Sequence, residues 1–146
     1  MLRLTDKVDL DVYYEIDAVR FDDAVRRVVT RDAFKAVYAN CPSVGFECDG
    51  RAIGGVIYDG KSAHIAVLPS HHGRWAFLLN AMLAWLFSLS DEIFVRIETG
   101  NRKGLAFVER CGWQRIGIDG DDVVYRMTPD NGSRVACVSV AARSSA

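Results

Sequence analysis

The chain has 146 residues, 18 Lys plus Arg against 19 Asp plus Glu, and 50% hydrophobic residues, which fits one domain of ordinary size with enough apolar surface for its own core. A formal net charge of −1 supplies no basic field for phosphate backbones, which argues against a general nucleic-acid binder, and the apolar fraction argues against a disordered chain. The four cysteines, Cys41, Cys48, Cys111 and Cys137, form no CxxC pair and only three histidines accompany them, so they read as small hydrophobes and no metal site is expected.

The first residues, 1–7, contain no long apolar segment of the secretory kind, and cysteine usage fits a reducing compartment, so a cytoplasmic location is the expectation. Residues 18–39 alternate apolar and charged positions at helical spacing, with Thr30 and Asp32 resembling an internal cap, and predict two short helices. Asn40-Cys41-Pro42-Ser43 breaks the pattern because proline cannot continue a helix. Strands follow at 44–48, 52–58 and 62–68, joined by an Asp49-Gly50 pair and an Asp59-Gly60-Lys61 turn, the signature of an antiparallel meander. Gly54-Gly55 inside the middle strand signals a bulge or a close approach by another backbone.

A helix is predicted from about 72 to 88. Its apolar run, 75–87, is interrupted only by Asn80 and spans 13 residues, well short of the ~20 needed to cross a membrane. The run is apolar on every side, which one sheet face would not bury, so the tail or a second copy in a homo-oligomer is expected to cover it. A strand at 93–98, a helix at about 101–111 and strands near 113–118 and 123–127 complete the order αα-βββ-α-β-α-ββ. This is a single domain over 1–128, followed by a tail, 129–146, that reads as disordered, an added edge strand or an oligomer contact.

Two junctions carry chemistry. At Ile65-Ala66-Val67-Leu68-Pro69-Ser70-His71-His72-Gly73-Arg74-Trp75-Ala76 a buried strand runs through a short loop into an apolar helix, which points free N–H groups and a positive helix end at one spot and suits a pyrophosphate. At residues 98–113 a strand end meets a helix opened by Asn101 and closed by Gly112 before Trp113. Together with the element order, Val67, Pro69 and Gly73, then Asn101, Gly112 and Trp113, make residues 44–127 similar to the Gcn5-related N-acetyltransferase (GNAT) superfamily, whose first motif is Val-x-Pro-x-x-Arg-Gly-x-Gly-x-Gly/Ala.

The resemblance implies an α/β (α+β) fold, GNAT-like, with a mixed, mostly antiparallel central sheet and helices on both faces. It also implies transfer of an acetyl group from acetyl-CoA to a primary amine, small-molecule or peptide, by direct attack. The cofactor would lie in a V-shaped gap between the strands at 62–68 and 93–98. Its pantetheine arm would meet the backbone of Ala66, Val67 and Leu68, its pyrophosphate would meet His72, Gly73, Arg74, Trp75 and Ala76, and Asn101 would hold the arm from the other side. Departures from the family pattern are His72, Trp75 and Phe77 in the loop motif, and Val108 where many members carry a Tyr that protonates the leaving thiolate; water, Cys111 and Tyr125 are the candidate substitutes. The Gly73-Arg74-Trp75 run resembles a variant found in phage-type members. These departures also motivate an alternative, an inactive or weak module that binds CoA or builds an assembly.

The candidate bases are Glu98, at a strand end beside the gap, and His64, mid-strand among apolar neighbours, with Glu47 a third. Each has a plainer reading: Glu98 favours the helix start that follows it, and His64 and Glu47 suit a half-exposed sheet face. His71 and His72 are adjacent and point apart, which suits loop contacts better than a metal.

Overall fold

The computed structural model describes residues 1–132. Most of the tail, 133–146, therefore lies outside the described residues, and only the short helix α6 (Pro129–Gly132) belongs to it.

Alternation of apolar residues builds two antiparallel sheets. The first has the order β1-β2-β3-β4, from Leu2–Thr5, Ser43–Cys48, Arg51–Tyr58 and Ala63–Val67. The second has the order β5-β7-β6, from Ile93–Glu98, Asp122–Met127 and Gln114–Asp119. The Asp49-Gly50 turn is set by positive φ at both residues, 52° and 84°, as a tight hairpin requires. Gly54 meets both readings of its sequence signal. It sits beside a register shift at Phe46/Glu47, and a Cβ there would lie 2.0 Å from the Ala66 carbonyl oxygen, so only glycine lets β3 and β4 approach this closely.

Helices α1 (Leu10–Ala18) and α3 (Arg31–Tyr38) pack on one face of the first sheet, and α2 (Asp23–Val28) lies between them in the chain. There Val8, Tyr13 and Phe34 pack on Ile57 and Ala66. The side chains of Asp9, Asp22 and Thr30 accept from the opening N–H groups of the three helices, so Thr30 is the predicted cap. The sequence reading omitted β1 and α1. The four-residue β1 takes its stability from pairing with β2, and α1 has a mixed pattern whose buried positions are only Tyr13 and Ala18.

The opposite face carries α4 (Leu79–Leu89) and α5 (Arg102–Arg110). Phe46, Leu79, Met82, Leu83, Leu86, Ile93, Tyr125 and Met127 are fully buried there, each large side chain contributing about 1.5–3 kcal/mol. The predicted helix at 72–88 begins later than expected. Two 3-10 turns, Pro69–His71 and Trp75–Leu78, precede the first α-helical residue. The exposed side of α4 carries the small or polar side chains Asn80, Ala81, Ala84 and Ser88, and its largest buried side chains lie opposite them. Of the large apolar side chains from Trp75 to Leu89, Phe77 and Leu89 are exposed, at 65% and 40%, and Trp75, Trp85 and Phe87 are half-buried. Cys41 and Cys48 are free thiols, whereas Cys111 is disulfide-bonded, so the reading of every cysteine as a plain hydrophobe does not hold for Cys111. No helix among the described residues is long and apolar enough to cross a membrane.

Candidate active site

The two sheets touch through one parallel bridge, Ser62 with Phe94, where the Phe94 N–H donates to the Lys61 carbonyl at 3.0 Å. Beyond it no ladder pairing joins β4 to β5 among the described residues, so the two strands run on in separate sheets towards Val67 and Glu98, where the V-shaped gap is expected. Strand alternation decides what β4 offers to it. The Asp59 N–H donates to the Ser62 carbonyl, and the Leu68 N–H to that of Ile53, so the even-numbered residues turn their backbone towards β3. The odd-numbered Ala63, Ile65 and Val67 turn theirs into the gap. Of the three backbone positions expected to meet a pantetheine arm, Val67 faces the opening, and Ala66 and Leu68 face β3; Ile65 is the gap-facing residue that the sequence reading missed. The Val67 carbonyl already accepts from His72 Nε2 at 2.9 Å, which places His72 on the strand edge.

The loop after β4 exposes His72, Gly73 and Arg74. Among the described residues, no main-chain acceptor takes the N–H groups of Gly73 and Trp75, so they remain available to an anion. Arg74 is close enough to the Met1 amine and Asp49 to act on both electrostatically. Ala76 is buried. The Trp75 ring turns inward, 6.2 Å from Phe46 on β2 and 5.6 Å from Phe107 on α5. It joins the two halves on the α4/α5 face and leaves the outer surface of the loop to backbone. Asn101 is the N-cap of α5, its Oδ1 accepting from Gly104 N–H at 3.0 Å, which leaves its amide NH2 as the remaining donor.

The two candidate bases occupy the same side of the sheet and differ in surroundings. His64 lies two residues from the bridge, where the gap closes. Its Nε2 is 2.7 Å from Asp59 Oδ2, and its ring is 5.9 Å from that of Tyr38 on α3. A carboxylate only accepts, so Nε2 carries the hydrogen of this contact. Burial pushes the Asp59 carboxyl up, but hydrogen bonds from the Ser62 N–H, His64 and the Lys61 N–H outweigh it and hold the group below its ordinary value. Glu98 lies at the open end, and its carboxylate is bound by Arg20, which also donates to Asp17 at 2.8 Å. Arg20 thereby straps the end of α1 to the end of β5. Glu47 pairs with Arg3 at 2.6 Å on the outer strands, away from the gap.

Val108 is buried in the main core, 3% exposed. The Tyr125 hydroxyl donates to Glu109 at 3.3 Å, and burial is the main reason its pKa is raised. Neither Tyr125 nor the disulfide-bonded Cys111 presents a free acid to the gap. Beside His64 lies a groove of about 560 Å³ that also reaches Lys61, Phe94, Arg96 and Val124. No set of three His, Cys, Asp or Glu side chains that could hold a metal forms among the described residues.

No protein-family model and no curated protein matches the sequence, but solved structures match the fold closely. An N-acetyltransferase from Staphylococcus aureus aligns with a TM-score of 0.63 at 18% identity, over 88% of this chain and 97% of the other. A GNAT-family acetyltransferase from Bacillus cereus gives 0.57 at 18% identity, over 88% and 97%. The chain has the GNAT acetyltransferase fold. The PaiA N-acetyltransferase of Thermoplasma acidophilum, solved in complex with coenzyme A, has this fold too, with a TM-score of 0.62 at 14% identity over 88% of this chain and 99% of its own.

Proposed function

We propose that this protein is an N-acetyltransferase that takes its acetyl group from acetyl-CoA and delivers it to a primary amine. The observation that carries the reading is the edge of β4 that no ladder pairs among the described residues, which turns the backbone of Ile65 and the N–H of Val67 towards the expected gap beyond Ser62 and Phe94. That it occurs in a fold shared with an enzyme solved with coenzyme A supports it further.

The residues present fit the cofactor. The edge of β4 bonds an amide-bearing arm as a further strand does. The N–H groups of Gly73 and Trp75, with Arg74 nearby, suit phosphate, and the Asn101 amide NH2 is a donor on the other wall. Acetyl-CoA, when bound, supplies a thioester carbonyl carbon that forms a bond to the amine nitrogen as the carbon–sulfur bond breaks. His64 is the base. Its Nδ1 lone pair takes the amine proton, and Asp59 orients the ring and stabilises the imidazolium that forms. With Val108 in the core and Tyr125 committed to Glu109, the departing thiolate takes its proton from solvent, which a thiol of pKa ~8.5 tolerates near neutral pH.

Calorimetry and thermal shift with acetyl-CoA test the reading. At a hundredfold excess over Kd, binding stabilises the chain by about 2.7 kcal/mol, which raises Tm by roughly 5–11 °C in a protein of this size. No binding at millimolar acetyl-CoA would overturn it. His64→Asn is expected to lower kcat about 100-fold or more and leave acetyl-CoA affinity within twofold. The core position of Val108 favours one alternative, a module that binds CoA without turnover, and steady CoA release with any amine removes that alternative.

A further inference from the structure

A second cavity, of about 290 Å³, lies between α1, α2 and α3. Its walls are Phe21, Val28, Val29, Phe34 and Val37, and its only polar side chains are Asp17 and Tyr38. Val28 and Val37 at its rim stand 76% and 67% exposed, an apolar surface left uncovered where a soluble domain ordinarily places polar residues. A small apolar pocket with one carboxylate on its wall recognises a cation that carries an apolar body.

We propose that this cavity is the acceptor-specificity pocket, and that the acceptor is a primary amine with an uncharged arylalkyl or short aliphatic body, its ammonium held by Asp17. The inference rests on the transferase reading and names its substrate class. Three observations place the nitrogen. Asp17 Oδ1 already receives a cation, the Arg20 guanidinium at 2.8 Å, and Arg20 is shared with Glu98. Two carboxylates around one guanidinium leave negative charge for an ammonium to meet, and Arg20 keeps a partner in Glu98 when Asp17 turns to the substrate. Tyr38 forms the wall between this cavity and His64, with ring centroids 5.9 Å apart. Burial, reinforced by Asp17 and Asp59, raises the Tyr38 pKa, so its hydroxyl stays protonated beside the amine. An ammonium at Asp17 therefore lies on the side of the sheet where His64 waits for its proton.

The groove beside His64 suits such a body less well. Lys61 and Arg96 line it together with Asp59 and Asp119, and Arg96 pairs with Asp119 at 2.8 Å, so this mixed charged lining suits an apolar body poorly. No Lys or Arg lines the helical cavity. Volume limits the body as well, since about 290 Å³ is at the lower end of ligand pockets and admits a fragment-sized group.

The test compares phenethylamine with phenylalanine, which differ by one carboxylate, on the full chain. Methyl NMR is expected to show saturable shifts at Val28, Val29, Ala33 and Val37 with phenethylamine, and at least tenfold weaker binding of phenylalanine. Val37→Lys, at an exposed rim position, should weaken phenethylamine at least tenfold and leave acetyl-CoA affinity within twofold; Asp17→Asn should do the same. Acetyl-CoA binding without methyl shifts, equal affinity for the two probes, or indifference to Val37→Lys each overturns the cavity assignment and leaves the transferase reading standing. Methyl shifts without acetyl-CoA binding overturn the transferase reading instead.

Discussion

Trp75→Ala tests how the loop after β4 is held. The ring is half-buried and touches Phe46 and Phe107, which belong to strand β2 and helix α5 on the two sides of the gap. Truncating a fully buried aromatic costs about 3–5 kcal/mol, so a half-buried ring with two aromatic neighbours, each pair contributing about 0.5–1.5 kcal/mol, gives a loss near 3 kcal/mol. In a chain of this length about 2–4 °C accompanies each kcal/mol, so Tm should fall by roughly 6–12 °C. Urea melts followed by circular dichroism measure the loss, and a cycle with Phe107→Ala isolates the ring pair, with an expected coupling of about 1 kcal/mol. Acetyl-CoA affinity should weaken too, because the N–H groups of Gly73 and Trp75 lose their anchor. A loss under about 1 kcal/mol with zero coupling would refute the picture of a ring that ties the loop to α5.

Gly54→Ala forces a Cβ to within 2.0 Å of the Ala66 carbonyl at a φ of 149°. It is expected to cost at least about 2 kcal/mol and to weaken acetyl-CoA binding by displacing the edge of β4; a neutral result in both measurements contradicts the close approach. Asp59 gives a pH dependence. Its folded pKa lies below its ordinary value, so the stability it contributes is present above the ordinary value and is lost as pH falls through the folded one. Asp59→Asn should therefore flatten the acid limb of the stability curve, measured by urea melts from roughly pH 5 downward, and an unchanged slope contradicts the assignment. Glu98→Gln should lower kcat less than threefold, since Arg20 holds that carboxylate at the open end, and should cost about 0.2–1 kcal/mol of stability as an exposed pair does. A drop of a hundredfold would make Glu98 the base.

Sequence by itself determined the features fixed within a few residues. The Asp49-Gly50 hairpin, the Thr30 cap and the Asn101 helix start all depend on local backbone geometry, and the succession of elements along the chain from β2 to β7 follows from periodicity and turns. Resemblance added the gap itself. Only the tertiary structure decided which backbone groups enter that gap, because the facing of Ile65 and Val67 depends on how β4 pairs with β3, and no residue-type signal marks an edge. The same holds for side chains that meet across the chain. Arg20 reaches Glu98 over 78 positions, Tyr38 meets His64 through the packing of α3 on the sheet, and Trp75 turns inward because Phe46 and Phe107 converge on it. The nearest such partner, Asp59, was visible as the first residue of a turn, but its hold on His64 appears only once the strand sets their spacing. Local geometry is written in neighbouring residue types, whereas the active-site arrangement depends on contacts between distant residues, which folding alone brings together.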